Sequence, residues 1–296
     1  MKNVKIYFST IAFLTASYAM NDCSAQNLFF SLQSGYGIGL NKINSNQSYS
    51  STYNYDDETG KGTEEMNSSS FGHSINFGGS IGYLVNNHLG FEIAATWSQS
   101  ATFKSEEFYE GRSDEYNYLE QEHYVMSSKA SMLQLCPSIQ YLFGTNKLQP
   151  YVKLGLVVGI GKIDLQDSYS ALYKEDGEKE TYTYKDDYVY DGGTAIGFHC
   201  TGGVHYRVNK NISFFGELKN TSLSYAPTKG EWLKSTEDGK EEPLTEYETY
   251  EKKVNFVDSY TENYQDDFDP NKPSTALKTN YAFSALTFNI GFTFTI

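Results

Sequence analysis

A two-residue alternation of apolar side chains with small or polar ones recurs eight times along this chain, and few folds accommodate it. In the first run, Leu28 to Leu40, one face carries Leu28, Phe30, Leu32, Tyr36, Ile38 and Leu40. The other carries Ser31, Gln33, Gly35, Gly37 and Gly39. Further runs span about Ser70 to Val85, Leu89 to Phe103, Tyr124 to Phe143, Leu148 to Lys162, Gly193 to Val208, Ile212 to Ala226 and Asn280 to Ile296. Successive strand side chains point to opposite faces. A strand that is apolar on one face and crowded with glycine, hydroxyls and isolated charges on the other suits a position between lipid and a polar interior.

The connections between these runs alternate in length. They are short at 86–88, 144–147 and 209–211, and long at 41–69, 104–123, 163–192 and 227–279. A weak internal repeat, Gly79 to Leu89 against Gly202 to Ile212, reads as two hairpins built alike. Charge follows the same division. The chain carries −14, and removal of two lysines and one aspartate with the first 25 residues leaves about −15. The four long connections hold −3, −5, −6 and −6, which leaves the strands and short turns at about +5. Past residue 25 no apolar run reaches the roughly 20 residues of a spanning helix. Residence in a membrane is therefore expected through strands, whose backbone bonds close only in a barrel.

The termini fit that expectation. Lys2 and Lys5, the apolar stretch Ile6 to Ala19 and small residues up to Ala25 read as an export signal, with cleavage after Ala25 or, second, Ala19. The C-terminal order Asn289, Gly291, Phe294, Ile296 resembles the β-signal read by the outer-membrane assembly machinery, with Ile in place of the usual final aromatic. With the segments GGSIGY and PYVKLGLVVG, the mature chain resembles the outer-membrane β-barrel domain proteins common in Bacteroidota, related in architecture to OmpX- and OmpA-type barrels. That resemblance implies an all-β fold: an eight-stranded, antiparallel, up-and-down transmembrane β-barrel with short periplasmic turns and long extracellular loops. Residues 1–25 form the expected signal peptide and 26–296 the barrel domain. Family membership of this kind fixes place and fold but not activity.

The alternation directs Glu92, Lys153, Arg207, Glu217 and Lys219 into the interior, with His199 and His205. In so narrow a barrel these charges are expected to neutralise one another. The two histidines would lie about 20 Å apart on one strand, too far to share a metal. Cys136 is directed inward and Cys200 outward, which argues against a disulfide. No phosphate loop, nucleophile elbow, zinc-binding helix or Cys-pair motif is present, and the acidic balance argues against nucleic acid. No cofactor or metal is expected. Sixteen tyrosines lie in the long connections. Tyr is a low-entropy amphipathic contact residue, so the loops are candidates for an extracellular protein or glycan ligand, or for bridging through divalent cations to lipopolysaccharide. The expected function is thus that of a non-enzymatic outer-membrane barrel with a structural or surface-interaction role. The alternatives are a narrow channel, which needs a continuous polar interior, a lipid-modifying enzyme, which needs a His-Ser-acid cluster near His73, and a soluble lipocalin-like barrel, whose apolar face would turn inward.

Overall fold

The computed structural model describes residues 28–40, 43–144, 146–261 and 269–296. The expected signal peptide and its cleavage site lie outside the described residues. The chain runs through β1 (Leu28–Gly39), β2 (Ile43–Asn54), β3 (Thr59–Ser69), β4 (Ser74–Leu84), β5 (Leu89–Ser100) and β6 (Phe103–Ser113). Two long strands follow, β7 (Tyr118–Leu142) and β8 (Leu148–Glu175), then β9 (Glu178–Asp191), β10 (Ala195–Arg207) and β11 (Ile212–Ser222). The last part holds β12 (Ser224–Tyr225), β13 (Lys229–Glu237), β14 (Lys240–Glu242), β15 (Lys253–Val257), β16 (Ser274–Leu277), β17 (Tyr281–Ala282) and β18 (Ala285–Thr295), with one helical turn at Thr249–Lys252.

Strands β1, β4, β5, β7, β8, β10, β11 and β18 pair in that order, each antiparallel to the next, and β18 pairs back onto β1. The eight alternating runs of the sequence thus form a closed ring in which no strand is left with an edge. Three tight connections lie at the end of the ring that also holds Leu28 and Ile296. The Asn86 side chain accepts the N–H groups of His88 and Leu89, and Asn209 does the same for Asn211 and Ile212, so the repeated wording builds the same turn twice.

Outside the ring the apolar face is exposed: Leu154 is 66% exposed, Ile196 73% and Ile290 59%. On β8 this face runs from Leu148 to Ile160, roughly 40 Å along the strand at about 3.4 Å per residue, or near 29 Å of height at a tilt of about 45°. Lys147, over the Tyr206 ring, and Lys162, paired with Asp164, bracket the band. Inside, two apolar clusters close the ends. At the loop end, Phe71, Met132, Ile163, Leu223, Tyr225 and Phe283 pack together. The short β12–β17 pair brings in Tyr225, whose hydroxyl lies 2.6 Å from the Gly161 carbonyl. At the turn end Leu142, Tyr151 and Phe215 pack, with Leu84 beside them.

The long connections differ from the expectation of loops. Above the ring β7 and β8 continue as an antiparallel pair and become the centre of an open sheet ordered β3-β2-β6-β7-β8-β9-β13-β15-β16. Most of its neighbours are antiparallel, while β2 joins β6 and β15 joins β16 in parallel. These segments lack an apolar face, so no alternation of hydrophobicity announced most of them. They are strands because their backbone groups, held next to the projecting β7 and β8, pair with a ready edge.

Candidate functional site

Two polar constellations stand out, one inside the ring and one above it. Inside, Lys153 projects from β8, with Nζ 2.9 Å from Glu92 of β5 and 3.4 Å from Glu217 of β11. Glu217 also accepts the Tyr151 hydroxyl at 2.6 Å and the Asn289 amide at 2.9 Å. All these side chains are at least nine-tenths buried. Burial of charge is costly unless it is paired and hydrogen-bonded, and here each carboxylate meets a cation or several donors. Lys219, also buried, directs Nζ to Cys136 Sγ at 3.3 Å rather than to a carboxylate.

Arg207 departs from the expected interior network. It ends β10 at the turn-side rim and is exposed, and its guanidinium donates to Gln149 at 3.2 Å. The alternation gave it the correct face, but at the last residue of a strand that face already opens to water. His199 is buried beside Thr201, while the His205 ring lies tilted against Tyr151 with centroids 4.4 Å apart. His73 lies near the upper rim with its Nε2 2.7 Å from the Tyr36 hydroxyl. Cys136 is buried, Cys200 is exposed, and both are free. Among the described residues no group of three potential ligands could hold a metal ion. The alternation did not single out Tyr151 as a partner of Glu217, although it places Tyr151 on the same face of β8 as Lys153, two residues away.

Above the ring, strand register gathers the tyrosines. Tyr49, Glu107, Tyr124, Tyr169, Tyr184 and Glu237 are successive cross-strand partners over six strands, so they share one face. On β8 this face continues the one that lines the ring. Hydroxyl–carboxylate bonds fix many of the rings. Tyr169 and Tyr173 both donate to Glu122, at 2.7 and 2.8 Å, and Tyr184 donates to Glu237 at 2.8 Å. Tyr118 and Tyr55 both reach Glu120, at 3.1 and 3.4 Å. Burial and the neighbouring Glu120 push the Tyr118 phenol up to about 12. Burial, then Asp167, pushes Tyr124 to about 12 as well. Asp167 and Asp186 are direct cross-strand partners, and the Asp167 carboxyl is raised by burial and by Asp186 in spite of its hydrogen bond from Tyr124.

A carboxylate that accepts a tyrosine hydroxyl keeps further acceptor sites, and the ring keeps its π-faces. The face therefore offers acceptors and aromatic surface, a combination suited to cationic or polyhydroxylated groups. At the β8–β9 tip the chain reverses through Asp176 and Gly177, both at positive φ (49° and 90°), as a two-residue type I′ hairpin requires.

No curated protein sequence matches the chain. Among solved structures it is similar to the outer membrane protein OprG from Pseudomonas aeruginosa, with 10% identity, 92% of this chain and 97% of that chain covered, and a TM-score of 0.40. It is also similar to CarO from Acinetobacter baumannii, with 12% identity, 74% and 92% covered, and a TM-score of 0.30. For CarO2 of the same organism the values are 14%, 92% and 100%, and 0.30. The model of the outer membrane protein beta-barrel domain matches residues 10–241, and the chain belongs to that family of outer-membrane proteins.

Proposed function

We propose that the chain is a non-enzymatic transmembrane barrel whose eight-stranded ring serves as a closed anchor and whose acidic, Tyr-rich extracellular sheet contacts a protein or glycan ligand. The observation that carries this reading is the row of tyrosines and carboxylates crossing six strands on one face. A merely solubilising surface needs charge but not aromatic rings held in register by hydrogen bonds. Outer-membrane lipid and lipopolysaccharide would surround the band from Leu148 to Ile160. The assembly machinery would read Asn289, Gly291, Phe294 and Ile296 on β18, the strand that closes the ring. Within this reading the chain is one of the Bacteroidota members of the family.

The apolar clusters at both ends of the interior favour this reading over a channel, because ions crossing either would lose hydration without a polar substitute. In planar bilayers the refolded protein is expected to give no conductance steps. For the contact role, the purified protein is screened against glycans and basic peptides beside a variant carrying Tyr124→Ala, Tyr169→Ala and Tyr184→Ala. The expected result is at least a tenfold loss of binding in the variant. Steady conductance in the bilayer, or a hit that the variant binds equally well, would overturn the proposal.

A further inference from the structure

Between its two apolar ends the ring encloses a polar cavity of about 20 Å³, lined from β1, β4, β5, β7, β11 and β18. Its lining holds one ammonium, that of Lys219, together with amides and hydroxyls, and no carboxylate. The two interior carboxylates, Glu92 and Glu217, are both engaged by Lys153, and among the described residues Lys219 makes no ion pair. Two polar groups on the lining have no hydrogen-bond partner among the described residues: Asn76 Nδ2 and Thr96 Oγ1, on residues only 8% and 5% exposed. A buried amide donor and a buried hydroxyl are rarely left unsatisfied, and an ammonium held in a low dielectric attracts a counter-charge strongly. The volume admits one or two water-sized occupants.

We propose that this cavity binds a single small inorganic anion, with chloride as the natural occupant, held by Lys219 Nζ, Asn76 Nδ2 and the Thr96 hydroxyl. The absence of carboxylate from the lining favours an anion over a metal cation, and the small volume favours a monatomic ion over larger anions. Water alone would satisfy the amide and the hydroxyl but would leave the ammonium without a direct counter-charge. Phe71 and Phe283 of the apolar cluster at the loop end also line the cavity and limit the water around the ion.

The protein refolded in sodium bromide and crystallised from detergent gives the direct test at the bromine absorption edge. An anomalous peak in contact with Lys219 and Asn76 is expected; a cavity with no anomalous peak overturns the proposal. Thermal unfolding supplies the second arm. A ligand bound only by the folded state raises Tm with its concentration, so Tm is expected to be higher in sodium chloride than in sodium gluconate of equal ionic strength. This difference should vanish in Lys219→Met, and also in Asn76→Asp, which places a carboxylate beside the lysine and should fold even where the first variant does not. An equal difference in wild type and variants, or none in wild type, counts against the site.

Discussion

Lys153 is the point on which the interior charges converge, and the asymmetry of its neighbours makes the cost of each removal different. Lys153→Met would leave Glu92 and Glu217 buried without their cation, a loss of about 3–5 kcal/mol expected for breaking a buried pair. Glu217→Gln should cost less, about 1–3 kcal/mol, because the new amide still meets Tyr151 and Asn289 while Lys153 keeps Glu92. Urea unfolding of the refolded variants in lipid measures both, and equal midpoints would contradict the arrangement. A second residue is decided by space alone. At Gly291 an added Cβ would lie 2.2 Å from the Leu32 carbonyl oxygen on β1 and 2.5 Å from the Phe215 ring. Gly291→Ala is therefore expected to obstruct the β1–β18 seam and sharply lower the heat-modifiable fraction on refolding, whereas Gly216→Ala, which has open space outside the ring, leaves it unchanged.

Among the elements, the strands of the ring were legible and those above it largely were not, for one physical reason. Lipid on one side and a packed interior on the other impose two-residue alternation on β1 or β8, whereas β3 is exposed on both faces from Thr59 to Met66 and needs only a neighbour's edge. The β8–β9 hairpin carries a local signal all the same, since its Asp176-Gly177 turn joins two segments rich in Tyr and charge. The charge network was legible as a face but not as contacts: alternation brought Glu92, Lys153 and Glu217 together, yet it could not show that Arg207 lies past the point where the interior ends.

The upper sheet also joins two pH responses of opposite sign. Asp167 has its carboxyl raised in the folded sheet by burial and by Asp186. Its contribution is therefore full below the unfolded aspartate value, about 3.9, and is lost as pH rises through the higher folded value. Asp56 runs the other way. The Ser113 hydroxyl and the N–H groups of Asp114 and Glu115 bind its carboxylate and hold it low, tying the β2–β3 tip to the β6–β7 turn. That contribution is present above about 3.9 and lost as pH falls through the lowered folded value. Hydrogen-exchange protection factors should accordingly rise in the β8–β9 hairpin on mild acidification, and fall at Asp114 and Glu115 only in stronger acid. Asp186→Asn should flatten the first response and leave the second; a single common transition would contradict the separation.

For the whole molecule, the distinction that matters is between a sheet with edges and one without. In the ring every strand is paired on both sides, so detergent finds no exposed row of backbone donors and acceptors from which to start unzipping. Among the described residues the sheet above ends in the unpaired edges of β3 and β16 and has no such protection. The two parts should therefore fail separately. In sodium dodecyl sulfate without heating, the protein extracted from outer membranes should migrate faster than after boiling, because the ring stays closed and compact. Limited proteolysis before loading should cut in the upper sheet and leave the ring fragments together until they are heated. If the unheated and boiled samples migrate alike, the closure of β18 onto β1 does not persist in detergent, and the anchor role assigned to the ring loses its physical basis.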